Sequence, residues 1–456
     1  MKLKAKTIDL DAGGKTIILL NKKDAEYLGA FPLDRVVVKN NKKELTAIVN
    51  TTQKFVDSGE AIVYNELKQG LNIKNNDQIK VKPRESLESK TYIREKINGK
   101  SLNYKKYLSI IKDVLERNLN DLELAALITS LKIHGMSNKE TAEVTKAMVK
   151  TSKKISFKKR VVDKHSIGGI PGDKTSIFLV PIISSLGYIM PKTSSRAITD
   201  PAGTADRMEI FADVDFNADQ IKNIVKRAGA CIVWGGNVDL APADDLFIQI
   251  EHPLGMDPLM IPSILSKKKS VGSENVIIDI PKGKYAKVKS KKEGEDLGET
   301  FREVGKKLGM KISYTFTKAD QPSGYAMGPA LEAREILEIF KNPKNAPKDI
   351  LTKVNSLSNN LLESLGSNKN PMKQLKSGKA YKKFKEIVKA QNGDPDLEPE
   401  DIVLAKYTKK IHSKKAGKVS KINSNIIKKI ALSAGAPSLK KSGVLLNKKK
   451  RQKVDK

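Results

Sequence analysis

Over the first 84 residues the apolar positions fall in short runs between polar turns, the pattern of strands. β-prone runs cover residues 16–20, 35–38, 45–49, 61–64 and 78–81, and one helix is expected over 22–27. The period then lengthens. Tyr107, Ile110, Ile111, Val114 and Leu115 recur at helical spacing, as do Leu124, Leu127, Ile128 and Leu131, so residues 85–160 read as helical. From Phe157 to about residue 340 strands and helices alternate, which argues an α/β sheet. Within that stretch Asn217 and Gln220 make a capping box for a helix over 218–228. Gly229 ends it before a strand over 231–234. From Pro343 the pattern begins helical and becomes β-rich. Four blocks follow: a small β domain (1–84), a helical domain (85–160), an α/β domain (161–342, part of it returning to the helical lobe), and a C-terminal α+β domain (343–456).

One strand–helix junction carries chemistry. The apolar pair Val161-Val162 ends in Asp163-Lys164-His165-Ser166, a turn with Gly168, Gly169, Pro171 and Gly172 follows, and Asp173-Lys174-Thr175-Ser176 opens an apolar helix. Glycines let backbone N–H groups turn toward an anion, and a first helical turn adds unpaired donors and a positive dipole end. Lys164 offers a point charge; Ser166, Thr175 and Ser176 offer hydroxyls. The segment is suited to hold phosphate. It is not a Walker A loop, because Asp173 separates Gly172 from Lys174. Taken alone, the loop also reads as an ordinary structural βα turn.

Composition narrows the setting. The 456 residues are 39% hydrophobic and 30% charged, an ordinary balance for a globular protein of several domains. No apolar run approaches a membrane span, and the start is not a signal peptide. The single Cys231 excludes an internal disulfide framework and suits a reducing cytoplasm. Four scattered histidines give no metal-ligand spacing, so no metal is expected. Lys and Arg outnumber Asp and Glu by 85 to 52, a formal charge of +33 that ordinarily points to a polyanion. Here the lysines spread over the whole chain and aromatics are only 5%, so stacking on single strands is not expected and nucleic acid would bind at most non-specifically.

After the loop, Ser194-Ser195-Arg196 is followed by Thr199, Gly203, Thr204, Asp206 and Glu209. The order KHSxGG then SxR…GTxDxxE resembles the nucleoside phosphorylase family that contains thymidine phosphorylase and archaeal AMP phosphorylase. Further segments agree: residues 124–149 resemble its helical domain, Leu240-Ala241-Pro242-Ala243-Asp244 and Ser263-Ile264-Leu265-Ser266-Lys267-Lys268 its base-side motifs, and Ala434-Gly435-Ala436-Pro437 its C-terminal domain. The likeness runs from about residue 85 to 447. Pro171, the wording SSRAIT and the β segment at the front are similar to the AMP branch. The resemblance implies a helical domain and an α/β sheet domain with the active site between them, small β domains at both termini, hinge closure, and self-association as a dimer or larger homo-oligomer.

It also implies a reaction. Inorganic phosphate, a co-substrate, splits a nucleoside 5′-monophosphate (AMP, with CMP and UMP as further candidates) into free base and ribose 1,5-bisphosphate, with no cofactor. Lys164, Ser166, Ser176, Ser194 and Thr204 match the family's phosphate-holding positions. His165 is a candidate contact to base or sugar, or else a satisfied structural histidine. In the AMP branch the nucleotide is expected to lie along Gly169 and along Ser195, Arg196, Ala197, Ile198, Thr199 and Asp200, with Thr204 nearby. Arg196 is the natural partner of the 5′-phosphate; the other reading is an internal ion pair to Asp206 or Glu209. Asp200 is a carboxylate at a place meant for anions. Asp257, in Pro253-Leu254-Gly255-Met256-Asp257-Pro258, matches the proton donor, and its apolar neighbours predict poor solvation; a turn cap is the other reading. Ser263 and Lys267 match base contacts, and Lys287 a further substrate-binding lysine.

Two departures stand out. Pyrimidine phosphorylases carry an Arg before the Ser263 motif, where this chain has Phe247-Ile248-Gln249-Ile250, which argues against thymidine. The family's C-terminal domain also runs further, so the segment to Lys456 reads as truncated. The alternatives left open are a pyrimidine nucleoside phosphorylase giving pentose 1-phosphate, a phosphoribosyltransferase using diphosphate and Mg²⁺, and a basic RNA-binding protein on an inactive scaffold.

Overall fold

The computed structural model describes residues 1–84, 87–197, 199–236 and 238–455. They form two compact units: Met1–Met136 with Ala243–Pro258, and Ser137–Pro242 with Leu259–Lys456.

The first unit opens with a closed six-stranded barrel. Its elements are β1 (Lys2–Thr7), β2 (Ile17–Asn21), α1 (Lys22–Leu28), β3 (Arg35–Asn40), β4 (Lys43–Thr52), β5 (Glu60–Val63), α2 (Asn65–Leu71) and β6 (Gln78–Pro83), with strand order β1-β5-β2-β4-β3-β6. Alternate residues point inward. Leu3, Ala5, Ile18, Leu20, Val36, Val38, Ala47, Val49, Ala61, Val63, Ile79 and Val81 are fully buried, which is the period-two filling of a small barrel whose closure removes edges. The pattern reading anticipated five strands and α1. It passed over β1, where Lys2, Lys4 and Lys6 alternate with Leu3 and Ala5, and it passed over α2. Three helices follow: α3 (Glu88–Ile97), α4 (Tyr104–Leu115) and α5 (Asp121–His134). Glu123 and Asn120 cap α5 reciprocally, with both hydrogen bonds at 2.8 Å. A later helix, α10 (Pro242–Leu254), lies in this unit apart from its first residue.

The second unit is α/β. After α6 (Asn138–Lys150) come β7 (Val161–Ser166), α7 (Thr175–Ser185), β8 (Met190–Ser194), α8 (Thr204–Met208), α9 (Ala218–Ala228) and β9 (Ala230–Trp234). The chain re-enters at α11 (Met260–Ser270), then β10 (Ser273–Lys282), α12 (Lys291–Lys307) and β11 (Lys311–Lys318). The parallel trio β11-β10-β7 meets the parallel pair β8-β9 through a bridge between Val161 and Ile189. Helices α7, α14 (Lys348–Ser364) and α16 (Lys379–Ala390) share one apolar core with β9. That is why β9 is apolar throughout, as buried parallel strands are, while β10 is buried at nearly every position.

The expected cap on α9 is present: Asn217 Oδ1 accepts from Gln220 N and Gln220 Oε1 accepts from Asn217 N, while Gly229 closes the helix in left-handed geometry. Beyond α13 (Pro329–Lys341) the chain is helical through α14, α15 (Pro371–Lys376) and α16. The β-rich pattern expected after them is confined to two-residue strands, β13 (Gly417–Lys418), β14 (Val444–Leu445) and β15 (Lys453–Val454), with α17 (Ser424–Ser433) among them. β14 pairs with β12 (Ala326–Met327). Lysines recur through a segment that is largely exposed, so nothing drives long strands there.

Candidate active site

β7 delivers Asp163, Lys164, His165 and Ser166 to the carboxyl end of the parallel sheet, where ligands of such sheets bind. The turn after it holds Gly168, Gly169 and Gly172 at φ of +87°, +97° and +77°. One of these positions, Gly172, excludes a side chain on space as well. A Cβ at Gly169 would stand 3.4 Å from the backbone N of Lys287, and one at Gly172 would stand 2.4 Å from the carbonyl O of Ser323. The structure brings Gly169 against the segment of Lys287. Ser194 ends β8, five residues past the parallel bridge at Ile189, just as Ser166 lies five past Val161; both hydroxyls thus stand at one end of the sheet. Ser176 is buried in the first turn of α7.

Behind the loop lies a buried ionic lattice. Lys164 Nζ is 3.5 Å from Asp279 Oδ2 on β10, and Lys353 of α14 stands 2.8 Å from Asp279 and 2.8 Å from Asp173. Burial opposes the charge on Asp173, yet Lys353 and Lys164 hold its carboxyl far below the usual range. Lys353 is the mirror case: burial works against it, and Asp173 and Asp279 raise it. Asp163 is approached by Lys268 at 2.7 Å and by Lys192 at 4.0 Å. Burial, with Lys268 and Lys164 nearby, pushes the Lys192 ammonium well below its ordinary value. The same two effects, burial first and then Lys268, Lys192 and Lys164, keep His165 neutral. Lys174 is not a ligand position at all: wholly buried, it donates to Gly172 O at 2.8 Å and pairs with Glu335 at 2.8 Å. Sequence reasoning missed Lys353, Lys192 and Asp279, and nothing near them in sequence marks them.

The second loop, 195–203, is fixed by Asp206. Its Oδ2 accepts from Ala197 N at 2.8 Å and from Gly203 N at 2.7 Å. Gly203 fits only as glycine, since a Cβ would fall 2.7 Å from Ser195 O and Ala197 N. Arg196 does not stand open. Its fork grips Glu209 through Nη1 at 2.8 Å and Nη2 at 2.5 Å, with Asp206 at 3.5 Å and the Trp234 ring 5.2 Å away. The internal ion pair is thus the arrangement seen. It raises Arg196 and, against partial burial and with help from Lys440, lowers Glu209 to about 2. Ser195 and Thr199 are exposed and Asp200 half-buried, while Ile198 lies outside the described residues. Thr204 opens α8.

On the base side, Ser263 and Lys267 sit four apart on one half-buried face of α11. Lys287 is exposed. Asp257 corrects an expectation: it is exposed, not poorly solvated. Its apolar neighbours do not cover it, because Gly255 turns the chain at φ +62° and leaves Leu254 46% exposed. Gln249 belongs to α10, with no arginine in the 247–250 stretch.

Such a sheet, with an anion loop at its carboxyl edge and a helical bundle segment before it, defines a class, and comparison with known proteins agrees. The family models described as glycosyl transferase family, helical bundle domain, and glycosyl transferase family, a/b domain, match residues 90–152 and 158–381. The chain belongs to that family. Its relatives include an AMP phosphorylase of Thermofilum pendens, 42% identical over all of this chain and 89% of the relative. Another is that of Thermococcus kodakarensis, 40% identical over 100% and 92% of the respective chains. A third, from Methanococcus vannielii, is 40% identical over 99% and 91%. Among solved structures, an anthranilate phosphoribosyltransferase of Thermus thermophilus shares the fold, with TM-score 0.55 and 14% identity over 66% of this chain and 99% of that one.

Proposed function

We propose that this chain is a pentosyltransferase that cleaves AMP with inorganic phosphate, giving adenine and ribose 1,5-bisphosphate, and that CMP and UMP are further candidate substrates. The observation that carries this reading is the end-to-end likeness, near 40% identity, to relatives named AMP phosphorylase. It spans the glycine loop, the SSRAIT loop and the Asp257 turn together.

In this reading phosphate sits at the carboxyl end of β7 and β8, held by Lys164, Ser166, Ser176, Ser194 and Thr204. One of its oxygens bonds to C1′ as the C1′–N bond breaks, and that bond's electron pair leaves with the base. Asp257 supplies the proton the departing base takes up. Ser263 and Lys267 hold the base; Gly169, residues 195–200 and Lys287 hold the nucleotide. Lys164 neutralises the incoming dianion from a place where little water screens it, so its field acts at full strength on the nucleophile's position. His165 stays neutral, and so serves as a hydrogen-bonding contact and not as a second cation.

No cofactor takes part in this scheme, and phosphate is a co-substrate. Among the described residues no group of His, Cys, Asp and Glu is arranged to hold a metal ion, and no helix is long and apolar enough to cross a membrane. The reading includes a cytoplasmic location and self-association as a dimer or larger homo-oligomer. The test is release of free base from AMP, CMP, UMP, adenosine and thymidine, each with and without phosphate. Phosphate-dependent cleavage of the monophosphates alone is expected. Cleavage of nucleosides alone would replace this reading by the nucleoside phosphorylase one.

A further inference from the structure

The loop assigned to the nucleotide is electrostatically wrong for a phosphate when considered by itself. Apart from Arg207, which is buried against Glu332, residues 195–209 offer one cation, Arg196, against three carboxylates, Asp200, Asp206 and Glu209. Both terminal nitrogens of Arg196 are already engaged by Glu209. A 5′-phosphate dianion brought to that surface would meet net repulsion.

The balance is restored from far along the chain, beyond the residue at which the matched α/β domain ends. Lys428, one turn into α17, places Nζ 2.9 Å from Asp200 Oδ1 and donates to Thr199 Oγ1 at 3.2 Å. On the other flank Lys440 stands 2.8 Å from Glu209 Oε2. With these two ammonium groups the loop's cations and carboxylates are equal in number. The two lysines differ in what they can do next. Lys440 shares Glu209 with Arg196, so its charge is spent on the pair. Lys428 touches the two loop residues nearest the exposed rim, is itself 25% accessible, and carries three donors on a flexible stem. It reaches Asp200 by charge more than by alignment, since Asp200 Oδ1 accepts no well-directed hydrogen bond.

We infer that Lys428 is a specificity-determining residue for nucleotides: it neutralises Asp200 and donates to the 5′-phosphate of the substrate, so that the C-terminal segment makes the site select a phosphorylated sugar. This rests on the phosphorolysis reading above.

The test is a charge series at Lys428 in the full-length protein: Lys428→Arg, Lys428→Gln and Lys428→Glu. KM for AMP, KM for phosphate and kcat are read for each variant, with melting temperature as a folding control. The expected order of KM for AMP is wild type and K428R within about twofold, K428Q up about tenfold, K428E higher still. That spacing is the effect of losing one charge-assisted contact at a partly exposed site. KM for phosphate and kcat should hold steady. Adding Asp200→Asn to K428Q should recover most of the lost AMP affinity, because the uncompensated carboxylate is then gone. If wild type cleaves AMP and K428Q keeps its KM, or if AMP and phosphate KM rise together regardless of charge, the inference is wrong and the reaction assignment stands. If wild type cleaves only nucleosides, the assignment and the inference fall together.

Discussion

At the phosphate loop the groups that fix the backbone are sealed from water. Lys174 and Asp279 are wholly inaccessible, and Lys353 and Lys164 nearly so. At the nucleotide loop Asp206, which fixes the backbone, is buried too, but the charges around it are ones that water reaches: Arg196 is 36% accessible, Lys440 48% and Asp200 35%. The two loops follow neighbouring parallel strands, yet one is surrounded by charges that cannot be removed singly and the other is flanked by charges that can be exchanged. A buried pair broken on one side leaves an ion without solvent or partner, whereas an exposed pair is screened and replaceable. The enzyme of this reading would thus keep its phosphate position rigid and leave nucleotide recognition adjustable.

The largest break in that contrast is expected from Lys164→Met. Loss of base release by about a thousandfold at saturating substrates is expected, on the scale seen when a preorganised charge donor is removed. Stopped assays with AMP and phosphate read it directly. Next comes Lys353→Met, which strands Asp173 and Asp279. Melting should fall by the equivalent of about 3–5 kcal/mol. The pH dependence has a definite sign. Because Asp173 is depressed, its contribution is present above the unfolded carboxylate value and is lost as pH falls through the folded one. K353M should therefore be at its greatest disadvantage at neutral pH, and its melting curve should approach that of wild type in strong acid.

A smaller effect is expected at Gly203→Ala. The new methyl would displace the 195–197 backbone, raising KM for AMP about tenfold with KM for phosphate little changed. A rise in both would erase the distinction between the loops. The mildest is Glu209→Gln, for which a change of a few-fold in KM for AMP is expected, shrinking further as salt is added. In wild type the Glu209 contribution is complete above about pH 4.5 and fades only as pH approaches about 2, so no pH step from this pair should appear near neutrality.

Much of this was readable in the chain. Gly168, Gly169 and Gly172 announce a turn that L side chains resist, and Asn217, Gln220 and Gly229 delimit a helix on local chemistry alone. The barrel strands showed because one face of each is apolar; β1 escaped because its alternate lysines masked two inward residues. What stayed hidden depends on partners remote in sequence. Lys353 is one lysine in a lysine-rich chain until folding sets it between Asp173 and Asp279. Asp257 went the other way: apolar neighbours in sequence suggested a cover that a left-handed glycine turns aside. Arg196 offered two readings, and its occupant was decided by Glu209, thirteen residues on.

The loop that receives Gly172 is itself propped by Lys449, whose ammonium donates to the carbonyls of Gly324 and Pro322 at 2.6 and 2.5 Å. During synthesis, the glycine turn emerges long before that prop exists. At ~5–20 residues per second the ribosome needs on the order of tens of seconds to bridge the interval. The prop that holds the Gly172 loop is therefore made only late in translation, after the rest of the cradle has been synthesised.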